Sequence, residues 1–215
     1  MCLTDLAAYP QRLPADTAGP SRCPCGAAPN SVMAVSERNA LLRCRVCELL
    51  IRASLPPQEE LDARYRDEYW ARFQAEQIGT ARDNVHTHAL DWMMQLHPDP
   101  GTVVDVGCGA GAFLARCRER GWRGLGIDPC PSAVAHATAM GLEAYVRSWP
   151  SSRLENETAD AVTFINVLDH LRDPFGALQE AWRVLRMGGL PFTSRVAFPQ
   201  APSIGWANVS GSSAV

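Results

Sequence analysis

Two kinds of apolar spacing divide this chain. Between residues 58 and 96 apolar positions recur every three or four residues, whereas from residue 102 onward short β-branched runs alternate with amphipathic stretches. Leu61, Tyr65, Tyr69 and Phe73 make a stripe at a spacing of four, which predicts a helix opened by Gln58, Glu59 and Glu60, with acids at its positive end. A second helix is expected over 81–96, with Val85, Ala89, Leu90, Trp92, Met93 and Leu96 inward and Pro98 and Pro100 as its stop. Strands are then expected near 102–106, 123–127, 142–146 and 160–166, helices near 111–120, 131–140 and 174–187, and a last apolar run near 190–197. Such alternation implies an α/β domain, a parallel sheet with helices on both faces.

The most informative junction is Val103-Val104-Asp105-Val106-Gly107-Cys108-Gly109-Ala110-Gly111, a β-branched run that ends in alternating glycines and hands over to a helix. Asp128 closes the next apolar run, Gly124 to Ile127. Strand, glycine turn, helix, strand and acid together build a nucleotide cleft, the glycines admitting the ligand and the acid accepting from ribose hydroxyls. The loop alone leaves the nucleotide open, since Gly107-x-Gly109-x-x-Ala112 also satisfies a dinucleotide fingerprint. Asp128 is equally placed to cap the following helix. Asp105 narrows the choice: a carboxylate at a strand end is costly to bury unless a ligand ammonium or several backbone donors meet it. Two further motifs stand downstream, Thr163-Phe-Ile-Asn-Val-Leu-Asp-His-Leu-Arg-Asp-Pro174, a strand leading into a short turn, and the amphipathic stretch Glu180 to Met187 closed by Gly188-Gly189.

In this order the motifs resemble those of class I S-adenosylmethionine-dependent methyltransferases, over about residues 101–190. The resemblance implies a Rossmann-like doubly wound sheet of strand order 3-2-1-4-5. It implies that Gly107, Gly109 and Gly111 lie against the cofactor's methionine and ribose, with Cys108 as a small filler between them and Asp105 beside them. It further implies that Asp128 takes the ribose hydroxyls, that Pro129 flanks the adenine and that Asn166 ends the fourth strand at the cofactor's edge. Where the family carries an acid after its third strand, this chain has Arg147-Ser148-Trp149; Ser148 is the substitute for it and Trp149 a ring to stack on the base. His170 is the histidine at the cleft mouth, read either as a general base or as a residue fixing its turn. A small-molecule acceptor is implied.

Charge and cysteines add to this. All 20 basic residues are arginine, which excludes Schiff-base and phosphate-loop lysine chemistry. The net charge of -3 argues against broad nucleic-acid affinity. The absence of a long apolar run or a secretory start predicts a cytoplasmic protein that makes no membrane span. Of the eight cysteines, Cys23, Cys25, Cys44 and Cys47 are paired at short spacing, as four thiolate ligands of structural Zn²⁺ would be. Zinc supplies ~10–16 kcal/mol to modules too small to fold on a core. This segment resembles the N-terminal zinc ribbon of a group of bacterial methyltransferases, in which a proline pair (here Pro56-Pro57) and a Leu-x-x-x-Tyr-x-x-x-Tyr helix follow.

The expected organisation is a loose leader over 1–20, a zinc-ribbon-like module over 21–55, a helical linker or lid over 56–100, the methyltransferase-like domain over 101–197 and an irregular tail over 198–215. Pro191 predicts a short, spoiled fifth strand, and the turn-formers after it predict that the last two strands of the family are missing, through truncation or a frame shift. Two other functions remain open at this stage. One is a nicotinamide-dependent oxidoreductase; the other is a non-catalytic adaptor whose ribbon binds a partner beside a vestigial cleft.

Overall fold

The structure, a computed structural model, describes residues 27, 31–36, 39–44, 46–48, 50–52, 58–78 and 83–194. The expected leader, Cys23, Cys25, Pro56-Pro57 and the tail lie outside the described residues. The chain divides into two compact units, 1–69 and 70–215.

In the first unit β1 (Ser31–Ser36), β2 (Asn39–Arg43) and β3 (Leu50–Arg52) form an antiparallel sheet in that order, with a bulge between Ala34 and Ser36. Helix α1 (Gln58–Ala63) continues through a π-helical turn, Arg64–Glu68, into α2 (Tyr69–Ile78). An apolar stripe spaced strictly by four drifts around a 3.6-residue helix; the wider i→i+5 turn takes up that drift. Leu61, Tyr65, Tyr69 and Phe73 are all half-buried, as the stripe predicts, and the Tyr65 and Tyr69 rings lie 5.6 Å apart.

The second unit begins at Trp70 within α2 and continues with α3 (Asp83–Leu96). Five parallel strands follow: β4 (Thr102–Val106), β5 (Arg123–Asp128), β6 (Glu143–Val146), β7 (Ala159–Ile165) and β8 (Leu185–Ser194). They are connected by α4 (Ala112–Glu119), α5 (Pro131–Ala139) and α6 (Pro174–Val184), and their sheet order is β6-β5-β4-β7-β8. Numbered within the sheet this is 3-2-1-4-5, the order expected from the sequence. The two faces are buried by alternate residues. Val104, Val106, Ile127, Val162 and Phe164 pack under Ala177, Ala181 and Val184 of α6. Val103, Ala161, Ile165 and Phe192 pack with Leu90 and Met93 of α3 and Phe113 and Cys117 of α4. Covered faces explain why the strands read as continuous apolar runs.

Three expectations are corrected. Trp92 and Leu96 do not face inward: they are 55% and 62% exposed, while Ala89, Leu90 and Met93 make the buried face of α3. Trp92 stands at the margin of that face, its ring edge-on to Phe192, and Leu96 is in the last turn. Helix α6 ends at Val184, not at 187. The fifth strand is not short; it runs for 10 residues with Pro191 opposite Val162. Among the described residues β8 is an edge strand, where a missing N–H can point away from the ladder. The expected sixth and seventh strand positions lie beyond residue 194, outside the described residues. No described helix is long and apolar enough to cross a membrane.

Candidate functional site

The carboxyl ends of β4, β5 and β7 bring together the residues singled out from the sequence. After Val106 the chain turns sharply, with Gly107 N–H and Cys108 N–H both donating to Ile127 O (2.7 and 3.3 Å). Gly107 has φ +72°, and a Cβ there would stand 2.4 Å from the Val167 side chain, so only glycine fits. Gly111, at φ +85°, leads directly into α4. Cys108 fills a notch: a Cβ on Gly126 of β5 would lie 2.6 Å from its Sγ. Burial and then the charges of Asp128 and Asp105 push its thiol up, so it stays neutral and acts as the small filler anticipated.

Asp128 braces this loop. Its Oδ2 accepts Gly109 N–H at 2.9 Å and its Oδ1 accepts Cys130 N–H at 2.8 Å, just before α5. One side chain thus ties the glycine loop to the entry of the next helix, whose N-cap position is held by Cys130 and not by Asp128. Each oxygen keeps a second acceptor site. Burial raises its carboxyl, and those two N–H donors work against the rise.

Asp105 is 3% exposed, on the sheet face that carries Val103. Its Oδ1 accepts the Thr163 hydroxyl at 2.7 Å, across the β4–β7 pair in which the two residues stand in register. Burial raises the Asp105 carboxyl to about 7; the Thr163 hydrogen bond opposes the rise and the nearby Asp128 charge adds to it. Thr163 opens the strand-to-turn motif singled out in the sequence, which gave it no role of its own. The signal was present as a lone hydroxyl in the otherwise apolar run of β7, level with Asp105.

The remaining residues fall around this centre. Pro129 is half-buried beside Asp128, and Asn166, half-buried with φ +57°, turns the chain out of β7. A non-glycine residue in that region marks a constrained site. His170 is exposed at the end of the 3₁₀ turn Leu168–His170, with Nε2 3.8 Å from Asp169 Oδ1 and its backbone N–H donated to Val167 O. Ser148 is exposed after β6. Trp149 requires a correction, because its ring belongs to the core and not to a nucleotide. It packs edge-on to Phe164, and its Nε1–H donates to Ala177 O of α6 at 2.8 Å.

In the first unit Cys44 is buried directly after β2 and Cys47 is exposed. Val46 N–H points at Cys44 Sγ (3.4 Å), Glu48 N–H donates to Cys44 O (2.9 Å), and Glu48 adopts φ +61°. A sulfur that accepts a backbone N–H at a tight turn suits a thiolate. No group of three or more metal-ligating side chains occurs among the described residues, which include only this half of the expected cysteine set.

The comparisons bear on the second unit. Residues 104–193 match the sequence profile of a family described as a methyltransferase domain. Over these residues the chain is similar to methyltransferase domains. A ubiquinone biosynthesis O-methyltransferase of Pseudomonas fluorescens (strain SBW25) is 33% identical over 101 residues, 44% of this chain and 44% of that protein. An uncharacterized methyltransferase of Mycobacterium sp. (strain JLS) is 33% identical over 150 residues, 66% of this chain and 58% of that protein. The chain therefore spans about half the length of the curated relatives it matches. Among solved structures, the PH0226 protein of Pyrococcus horikoshii OT3 superposes with a TM-score of 0.53 at 22% identity, over 59% of this chain and 66% of that one, and so shares the fold. The profile match covers β4 to Thr193 and takes in every cleft residue described above. The oxidoreductase and adaptor readings gain no support from it.

Proposed function

We propose that the chain binds S-adenosylmethionine in the cleft at β4, β5 and β7 and directs its methyl group to a small-molecule acceptor. The observation that carries this is the pair of buried carboxyls, Asp105 and Asp128, at the ends of adjacent strands, braced by and bracing a glycine loop within a methyltransferase domain. The loop supplies close backbone approach, Asp105 a partner for an ammonium, and the spare acceptor sites of Asp128 a partner for ribose hydroxyls. Pro129, Ser148 and Asn166 border the same end of the sheet. Bound S-adenosylmethionine supplies an electrophilic methyl group on a sulfonium centre. Because charge disappears as that group moves, the protein's task is to align the acceptor and keep water out. His170, at the exposed turn, is the candidate base when the acceptor is a hydroxyl or a carbon acid. We further read Cys23, Cys25, Cys44 and Cys47 as ligands of a structural Zn²⁺, supported by the knuckle at Cys44.

Titration calorimetry with S-adenosylhomocysteine and with NAD tests the cleft. Saturable binding of the first and none of the second is the expected result. Binding of NAD alone, or of neither, overturns the reading.

A further inference from the structure

We propose that Thr163 is a positioning residue of the cleft: its hydroxyl keeps the Asp105 carboxylate ionised and turned so that the second oxygen is presented to a cationic group of the bound ligand. The inference deepens the function proposed above and rests on it. Thr163 is fully buried in β7 between Val162 and Phe164, where a hydroxyl is costly unless it has a partner. It has two acceptors, and the shorter bond goes to the side chain: 2.7 Å to Asp105 Oδ1 against 3.4 Å to Val104 O. Among the described residues no other hydrogen bond reaches the Asp105 carboxyl, so Oδ2 is left for a ligand. A donor to a carboxylate favours its charged form.

Among the described residues no other group helps to hold that charge. Asp128 on β5 is negative, and both Cys108 in the loop and Cys117 on α4 are thiols pushed up by burial first and by the field of Asp105 among their other causes. Helix α3 turns Ala89, Leu90 and Met93 inward and brings His86 against the Phe113 ring of α4. Burial, with the Asp128 charge adding to it, takes the Asp105 carboxyl to about 7 even with the Thr163 bond in place. Removing the hydroxyl moves it further up.

The test is the affinity of the full chain for S-adenosylhomocysteine as a function of pH. For the wild type, affinity rises with pH and levels off above about 7, because only ionised Asp105 pairs with the ligand ammonium. In Thr163→Val the rise moves up by about one pH unit, so affinity near neutrality falls several-fold, up to about tenfold, and recovers at higher pH. Thr163→Ser, which keeps the hydroxyl, restores the wild-type profile, and Asp105→Asn abolishes the rise. Thr163→Ala replaces the valine variant if that one does not fold, and the wild-type profile decides without any variant. A flat wild-type profile, a valine profile that superposes on the wild type, or a serine variant that shifts like valine overturns the inference while leaving the proposed function standing. No binding at any pH overturns the proposed function and the inference with it.

Discussion

Asp105 and Asp128 stand at the ends of neighbouring parallel strands, and burial raises both carboxyls while neutral donors, the Thr163 hydroxyl for one and the Gly109 and Cys130 N–H groups for the other, oppose the rise. For an acid raised in the folded state, the unfolded chain gives up its proton first. Between the ordinary value of 3.8 and about 7 the native state therefore holds more protons, and stability falls as pH climbs through that window. Above about 7 the loss is complete and the curve flattens. Asp128 contributes in the same direction. Asp105→Asn, whose side-chain oxygen can still accept from Thr163, removes one of the two contributions. It should leave the ligand-free protein a few kcal/mol more stable than the wild type at pH 8 and little changed at pH 4. Urea denaturation at both pH values checks this, and a variant destabilised equally at both would place the Asp105 cost elsewhere. The same substitution should weaken cofactor binding, so stability and function pull against each other at this residue.

At the scale of elements, the stretch after β6 is the informative case. Arg147 N–H extends the β5 ladder by donating to Asp128 O, its guanidinium lies 4.8 Å over the Tyr145 ring, and Nη1 donates to Ser152 O. Trp149 then reaches Ala177 O, the buried Ser152 hydroxyl donates to Glu180 Oε1, and Arg183 joins Glu180 to Leu154 O. Residues 147–154 are thus pinned to α6, and Trp149 is drawn into the core they share. The local sequence held no sign of this, because the indole's partner is 28 residues away in the chain. A tryptophan next to a cleft segment reads as a stacking ring until its N–H is accounted for. The β4–α4–β5 unit behaves differently, since its glycines, its strand-end acids and its apolar alternation are all local signals, and they fall where the sequence put them. Trp149→Phe keeps one six-membered ring but loses the bond to α6 and leaves a small void. The expected outcome is a stability loss of about 1–3 kcal/mol by chemical denaturation, with S-adenosylhomocysteine affinity unchanged. A large loss of affinity with stability intact would return Trp149 to the ligand.

Across the whole chain, legibility follows the length and strength of the local signals. The second unit has five strands and three connecting helices whose periodicities are unmistakable, whereas the sheet of the first unit was not foreseen. Its strands are 6, 5 and 3 residues long and lack clean alternation, and in so small a unit the cysteine spacing is the stronger feature. Every cleft residue lies in the second unit and all four cysteines of the expected metal set lie in the first, so metal and cofactor should be separable. Chain purified with zinc should carry about one equivalent, and replacing zinc by Co²⁺ should give the ligand-field absorption of a tetrahedral thiolate site. Cys44→Ser should abolish both, since it removes the sulfur around which the Val46 and Glu48 N–H groups are arranged. Because such a site supplies folding energy outright, chelation should expose the 31–52 amides to hydrogen exchange. Residues 102–194 should keep their protection, and S-adenosylhomocysteine affinity should not move. This chain with no bound metal, or with a cobalt spectrum untouched by Cys44→Ser, would remove the zinc assignment and leave the proposed cofactor cleft as it stands.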